Sequence, residues 1–491
     1  MSRKDPGVLE TKFKAQLCID GEFRDAADRG TFPIVNPANE KEIGEAALGT
    51  VADAEAAIES ADRAFASWAE VPAPQRAELL YRVGQMILEQ KEELARLITM
   101  EEGKVFREAL SETMEGYKAA MYYAGEGRRM WSNVVASEQP QKIGFVVRRP
   151  LGVALVITPF NFPIATPMWG LAPALVTGNT VVFKPASTTP LIAHRIVQLF
   201  AQGGFPKGTV NFVTGPGASV GEALIGSPKV KVVHFTGESA TGKRIAEVSS
   251  RFLRRQCLEL GGKNPLVVAR DCELDMTVSA ALTSAYSNTG QRCTAASRLI
   301  VEEPIAEEFS RKFVATAAKL RVGDGLKPGV EMGPLVTRAA LEKTRRYVRI
   351  GLEEGAKLLT GGRDYTDGEL SKGFFYPPTV FSGTNDMKIA QDEIFGPVTM
   401  IIPAKNIDHA IELANDTRYG LSSALYTKDL QAAFKAIWKI DAGVTFINGG
   451  PAGIEVSAPY GGIKDSGYGQ ELGEAALDHY TEKKTIWIEA K

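Results

Sequence analysis

Cysteine and histidine are scarce in this chain, four of each in 491 residues. Cys18, Cys257, Cys272 and Cys293 include no CxxC pair, and His194, His234, His409 and His479 lie far apart. Zinc ligands come at short, paired spacings, so no metal site is expected. Few thiols in so long a chain suit a reducing compartment, and a cytoplasmic location is expected. An excess of one charge is missing as well. Lys and Arg number 57 against 59 Asp and Glu, a formal net charge of −2. Neither nucleic acid nor a membrane is therefore expected as a partner. Long apolar runs are absent: Leu151–Ile157 stops short of Pro159, where a membrane span needs about 20 residues. The N-terminus is charged and lacks the apolar stretch of a signal peptide. Repeats and low-complexity tracts are missing too.

What remains is an ordinary folded balance, 44% apolar and 24% charged residues, with length for about two to four domains. Residues 1–14 read as a loose arm, and Gln16–Phe23 as a strand turning at Asp20-Gly21. Helical periodicity follows over Val51–Ala66, Pro74–Gln90, Lys91–Glu102 and about Ala109–Met130. After a strand at Ile143–Pro150, strands and helices alternate. Strands are expected at Leu151–Ile157, Thr180–Phe183, Val210–Val213 and Lys231–Phe235. The helices between and after them are Pro163–Leu175, Pro190–Ala201, Gly217–Gly226 and Gly242–Ser250. Continuous apolar strands at this spacing predict a doubly wound α/β domain with a parallel sheet. A second α/β region runs from Asn264 to Ile447. The tail Lys484–Lys491 reads as a lone strand, and a lone strand needs a partner. Lys142–Arg148 is the expected one, forming a small arm that reaches another subunit.

Five stretches carry possible chemistry. Asn288–Arg298 sets Cys293 among small and polar residues between the apolar runs Val278–Tyr286 and Leu299–Val301. A free thiol ionises near pH ~8.5, and a positive neighbour such as Arg292 raises its reactive fraction. The alternative is a small core residue. Glu259 lies between two leucines, where burial raises a carboxyl toward the range of a general base; a salt-bridged glutamate fits equally. Asn161, between two prolines, is either a rigid oxyanion donor or a turn residue. Lys184 sits at a strand's carboxyl end, where open α/β sheets bind ligands, or is merely solvated. The turn Thr236-Gly237 with Gly242 offers a phosphate the start of a helix, or only tight packing.

Together these stretches resemble the NAD(P)-dependent aldehyde dehydrogenase superfamily. The matching motifs are TPFNFP (158–163), VVFKPAS (181–187), FTGESATG (235–242), LELGGKNP (258–265), GQRCTA (290–295), EIFGP (393–397) and PYGGIKDSGYG (459–469). They occur in the family's order and cover most of the chain. The resemblance implies an α/β fold with a Rossmann-type cofactor domain (1–130 and 149–258), an α/β catalytic domain (259–475) and a β oligomerisation arm (131–148 and 476–491). A homodimer or homotetramer is the expected assembly.

By the same resemblance Cys293 attacks the aldehyde to give a thiohemiacetal. Asn161 and the Cys293 backbone N–H hold the oxyanion, hydride leaves to the nicotinamide, and Glu259 activates the water that hydrolyses the thioester. Glu471 matches a second glutamate that relays protons in hydrolytic members. Lys184 would contact the adenosine ribose and Gly217 the adenine side. The turn Thr236, Gly237, Glu238 and Gly242, with Leu260, would line the dinucleotide path. Glu393 would hold the nicotinamide ribose, with Phe395 close by. NAD-preferring relatives often place a glutamate where Ser187 stands, so NADP is expected to be accepted beside NAD, and even preferred. Retention of Glu259 favours release of a free acid over acyl transfer to CoA.

The expected substrate is a small polar or anionic semialdehyde, of the α-ketoglutaric-semialdehyde type. Arg292 resembles the anion-holding residue of non-phosphorylating glyceraldehyde-3-phosphate dehydrogenases, or is a structural arginine. Succinic-semialdehyde relatives commonly carry an arginine where Trp169 stands. Two other classes stay in view: a structural family member without turnover, and a cofactor-free cysteine hydrolase.

Overall fold

The computed structural model describes residues 12–130, 133–450 and 453–489. Its largest sheet has eight strands in the order Gly467–Tyr468, Arg255–Glu259, Val230–Thr236, Val153–Ile157, Thr180–Lys184, Val210–Phe212, Leu17–Ile19 and Glu22–Arg24. The five central strands are parallel, and the strands joined at either edge are antiparallel. The continuous apolar runs are explained by two cores. Ala154, Val156, Val181 and Phe183 face one side, while Val153, Leu155, Val182 and Val233 face the other. Helix Val51–Glu70 covers the second side with Ala54, Ala57, Ile58 and Ala61. Helix Ala165–Val176 lies on the first and is buried along its whole length.

A seven-stranded sheet follows, in the order Lys357–Thr360, Thr379–Ser382, Val398–Ala404, Ala296–Glu302, Asn264–Val268, Ser422–Tyr426 and Val444–Ile447. It too is covered on both faces: Val267, Ile300 and Ile402 point into one core, and Leu266, Leu299 and Ile401 into another. The tail strand finds the expected partner. Thr481–Glu489 runs antiparallel to Lys142–Pro150, from Thr481 opposite Pro150 to Glu489 opposite Lys142, and Asn133–Val135 adds a third strand. No helix of the described residues is long and apolar enough to cross a membrane.

Several expectations need correction. Residues 1–11 lie outside the described residues, but Phe13–Ala15 is no loose arm: it pairs in parallel with Gly44–Ala46. The helix expected at Gly217–Gly226 opens as a π-helical turn, Gly217–Gly221, before Glu222–Gly226 continues as α. The helix expected at Gly242 begins earlier, at Ser239, with Glu238 in the capping position. Gly242 thus lies inside the helix, where a Cβ would come within 2.3 Å of Leu260. Its lack of a side chain serves helix-to-strand packing. The large sheet also borrows an edge strand, Gly467–Tyr468, from well beyond residue 258.

Candidate active site

The carboxyl ends of the central strands meet at one place. In register, Ile157 lies opposite Lys184, Phe235 opposite Ile157 and Thr236 opposite Glu259. A cleft of about 460 Å³ opens there, against the second α/β unit. Asn161, Thr236, Glu259, Cys293, Glu393 and Phe395 line it. Trp169, Gly237, Glu238, Leu260 and Glu471 do so as well. Stretches spread over more than 300 residues of sequence are joined in one cavity.

The cysteine loop is held by unusual backbone. Helix Leu274–Tyr286 runs into a turn in which Asn288 and Thr289 both take left-handed conformations, φ 51° and 57°. Gly290 follows at φ 71°, where a Cβ would lie 2.3 Å from the Gly396 carbonyl. The Asn264 amide donates to the carbonyls of Cys293 at 2.6 Å and Ala295 at 3.0 Å. The double glycine serves close approach: a Cβ on Gly262 would meet the Cys293 carbonyl at 2.5 Å, and one on Gly261 the Glu393 carboxylate at 2.5 Å.

Asn161 is tied to the same loop. Its carbonyl accepts from the Asn288 amide at 3.1 Å and from the Lys104 ammonium. Lys104 is itself buried and paired with Glu112 at 2.7 Å. Glu112 also accepts from the Ile164 N–H at 2.8 Å, so it closes the loop that carries Asn161. Lys104, Glu112, Asn288 and Tyr460 are the functional neighbours that sequence reading missed. Tyr460 stands inside a recognised motif. The Lys104–Asn161 contact spans 57 positions, and no periodicity signals it.

Burial sets the electrostatics. It pushes the Cys293 thiol up to about 12, opposed first by a hydrogen bond with Tyr460 and less by the Arg292 charge. The Arg292 charge acts in the expected direction, lowering the thiol, but desolvation outweighs it in the resting site. The Tyr460 hydroxyl lies 3.7 Å from Sγ. Glu259, 2% exposed, has its carboxyl well above the usual range through burial, with the Glu471 charge adding to it. That is the environment a general base needs.

A profile of the aldehyde dehydrogenase family matches residues 23–486. The chain belongs to this family. It is an aldehyde dehydrogenase, carrying out NAD(P)-dependent aldehyde oxidation. It is 39% identical over 473 residues to the alpha-ketoglutaric semialdehyde dehydrogenase of Bacillus subtilis, covering 96% of this chain and 97% of that one. It is 40% identical over 498 residues to human retinaldehyde dehydrogenase 3, with 99% and 96% covered. The crystal structure of betaine aldehyde dehydrogenase from Staphylococcus aureus in complex with NAD+ superposes with TM-score 0.95 at 36% identity, covering 97% of this chain and 95% of that one.

The residues of this aldehyde dehydrogenase suit a dinucleotide. Thr236 Oγ1 is buried without a hydrogen-bond partner at the cleft wall. Glu238 precedes the N-terminus of helix Ser239–Ser250, whose first N–H groups are free for a phosphate. Phe395, at φ 60°, meets Phe160 edge to face at 5.7 Å, and Glu393 accepts from the Gly262 N–H at 3.0 Å. Lys184, Ser187 and Gly217 do not line the main cleft. Lys184 and Ser187 lie against the segment that carries Gly217: the Ser187 hydroxyl lies 3.5 Å from the Gly215 carbonyl, and a Cβ on Gly221 would lie 4.0 Å from Lys184 Cε. Burial pulls the Lys184 ammonium down to about 8.

Arg292 lines a second chamber of about 260 Å³ with Lys104, Glu108 and Glu112. Phe162, Trp169 and Ile454 border both chambers. Arg292 lies 5.3 Å above the Phe162 ring, and the charges of Glu108 and Glu112 act on it.

Proposed function

We propose that this dehydrogenase oxidises a small polar or anionic semialdehyde to the free carboxylic acid through a thioester on Cys293. The observation that carries this is Glu259 in the same cleft as Cys293, with its proton affinity raised by burial. The thiol must first lose its proton, and Glu259 is the matched base that shares its cavity. Sulfur then adds to the aldehyde carbon. The charge that builds on oxygen is met by the Asn161 amide and the Cys293 N–H, and losing such a donor costs about 10²–10³ in turnover. NAD(P)+, when bound, supplies the hydride acceptor. Lys184, Ser187 and Gly217 would hold its adenosine end, Thr236, Gly237 and the helix start behind Glu238 its phosphates, and Glu393 with Phe395 its nicotinamide end. Water attacks the thioester with Glu259 taking its proton, and Glu471 relays that proton onward. Rapid-quench detection of free acid, with stoichiometric reduced cofactor, tests the reading. Acid formed only after adding CoA would overturn it.

Serine at position 187 leaves no carboxylate to repel a 2′-phosphate, so NADP+ is used as well as NAD+. An NADP+ kcat/KM more than about tenfold below that of NAD+, or ~1.4 kcal/mol, would refute this. The substrate's distal charge is read by Arg292 across the second chamber, as with glyceraldehyde-3-phosphate or succinate semialdehyde. Arg292→Ala then raises KM for charged aldehydes more than for neutral ones, and equal losses would remove the clamp. The arm exposes Ile143, Trp487 and Ile488, which supports a homodimer or homotetramer. The enzyme is expected to work in the cytoplasm.

A further inference from the structure

Glu471 has a partner that the reaction described above does not use. His234 Nε2 lies 3.2 Å from Glu471 Oε2, and the two side chains are 2% and 1% exposed. His234 sits on strand Val230–Thr236, two residues before Thr236 of the cleft wall, between Val156 and Cys257 of the neighbouring strands. Its ring is clamped. It stacks on Tyr480 at 6.4 Å and 19°, and it fits against Gly170, where a Cβ would come within 3.0 Å of Cδ2. Glu471 lines the cleft beside Glu259, and the charge of each carboxylate is felt by the other's surroundings: Glu471 raises Glu259, Cys257, Tyr123 and Tyr480. These are all acids. A buried imidazole in contact with such a carboxylate is the one kind of group there that can accept a proton and leave a compensated charge.

We propose that His234 is the far station of a buried proton relay, Glu259 to Glu471 to His234, that serves hydrolysis of the thioester. The proposal rests on the free-acid reading above. Water oxygen bonds to the thioester carbon and the C–S bond breaks, its electron pair staying on sulfur. One water proton passes to Glu259, then to Glu471, then to Nε2 of His234. The other leaves with the product's carboxyl group. Glu259 is left ionised for the next water, and the imidazolium–carboxylate pair holds the proton until it returns to solvent. His234 acts through Glu471 and is a positioning residue, not one that touches substrate. Besides Glu471, the titratable groups facing it are Cys257 on the next strand, Tyr480, Tyr123, and His479, which is half-buried and lowered in part by the His234 charge.

The test acylates Cys293 with p-nitrophenyl acetate, with no cofactor present, and follows decay of the acyl-enzyme by intact mass across pH. His234→Gln is expected to slow that decay about tenfold or more and to shift its acidic limb. Formation of the acyl-enzyme stays as fast as in wild type. In a Glu471→Gln background the same substitution adds nothing. Wild-type decay rate and pH profile in His234→Gln would overturn the relay. If the variant fails to fold, wild-type protein decides: decay in H₂O/D₂O mixtures is expected to give a curved proton inventory, and a straight one overturns the proposal. Failure of the free-acid reading is recognised separately, as a wild-type acyl-enzyme that does not decay without added CoA.

Discussion

Glu259→Gln separates the two halves of the reaction. The amide keeps the size of the side chain but cannot take a proton from water. Acylation should slow, because the thiol then loses its proton to solvent base instead of Glu259, but one equivalent of reduced cofactor should still form before turnover stalls. A positioned general base contributes about 10²–10⁴ in rate, equivalent to ~2.7–5.4 kcal/mol of barrier. The upper half of that range is expected here. The carboxyl is buried and its proton affinity raised. Rapid mixing with an aldehyde and NAD(P)+ should give a burst near one equivalent of reduced cofactor per site, followed by a nearly flat line. The same change should alter stability in a pH-dependent way. A carboxyl whose folded value is raised binds its proton more tightly in the folded state. Its contribution is full below the unfolded value of about 4.3 and is lost as pH rises through the folded one. Wild type should therefore lose stability relative to Glu259→Gln as pH climbs through that window. Steady turnover of Glu259→Gln within about tenfold of wild type would refute the assignment of the base.

Lys104→Met leaves Glu112 buried without its ion pair and should cost about 3–5 kcal/mol; Lys104→Met/Glu112→Gln should recover part of that in thermal unfolding. Gly242→Ala forces a methyl within 2.3 Å of Leu260 and should destabilise by about 1–3 kcal/mol, with a raised KM for the cofactor. In the absence of cofactor, alkylation of Cys293 by iodoacetamide should climb about tenfold per pH unit through the alkaline range, as a thiol held above its usual ionisation does. A plateau near neutral pH would contradict the thiol's rise to about 12.

Much of the large sheet was legible because its chemistry is local. Val153–Ile157 and Val181–Phe183 are apolar at every position since both faces are covered, and that pattern survives without knowledge of neighbours. Cys293, Glu259, Asn161 and Glu393 were singled out by the family resemblance of the short motifs that hold them, and the structure brings all four to one cleft. Gly242 shows the limit. A glycine after a strand reads as a phosphate turn, but the helix starts three residues before it, and Leu260 from the next strand fills the space. The helix start at Ser239 was not marked by a side-chain cap, so the chain offered no signal for it.

The sequence by itself determined the alternation of strand and helix, the family resemblance that proposes the nucleophile and base, and the need of the tail strand for a partner. These follow from periodicity, from motifs held in the family's order and from the backbone's demand for hydrogen bonds. Only the tertiary structure decided which groups share a cavity and at what proton affinity. It put Lys104 against the Asn161 carbonyl, Tyr460 beside the sulfur, and His234 against Glu471. It also placed Arg292 on the wall of a second chamber, where its charge still favours the thiolate. The physical reason is the same in each case. Desolvation and charge coupling depend on what is packed within a few ångströms, and distance along the chain says nothing about that.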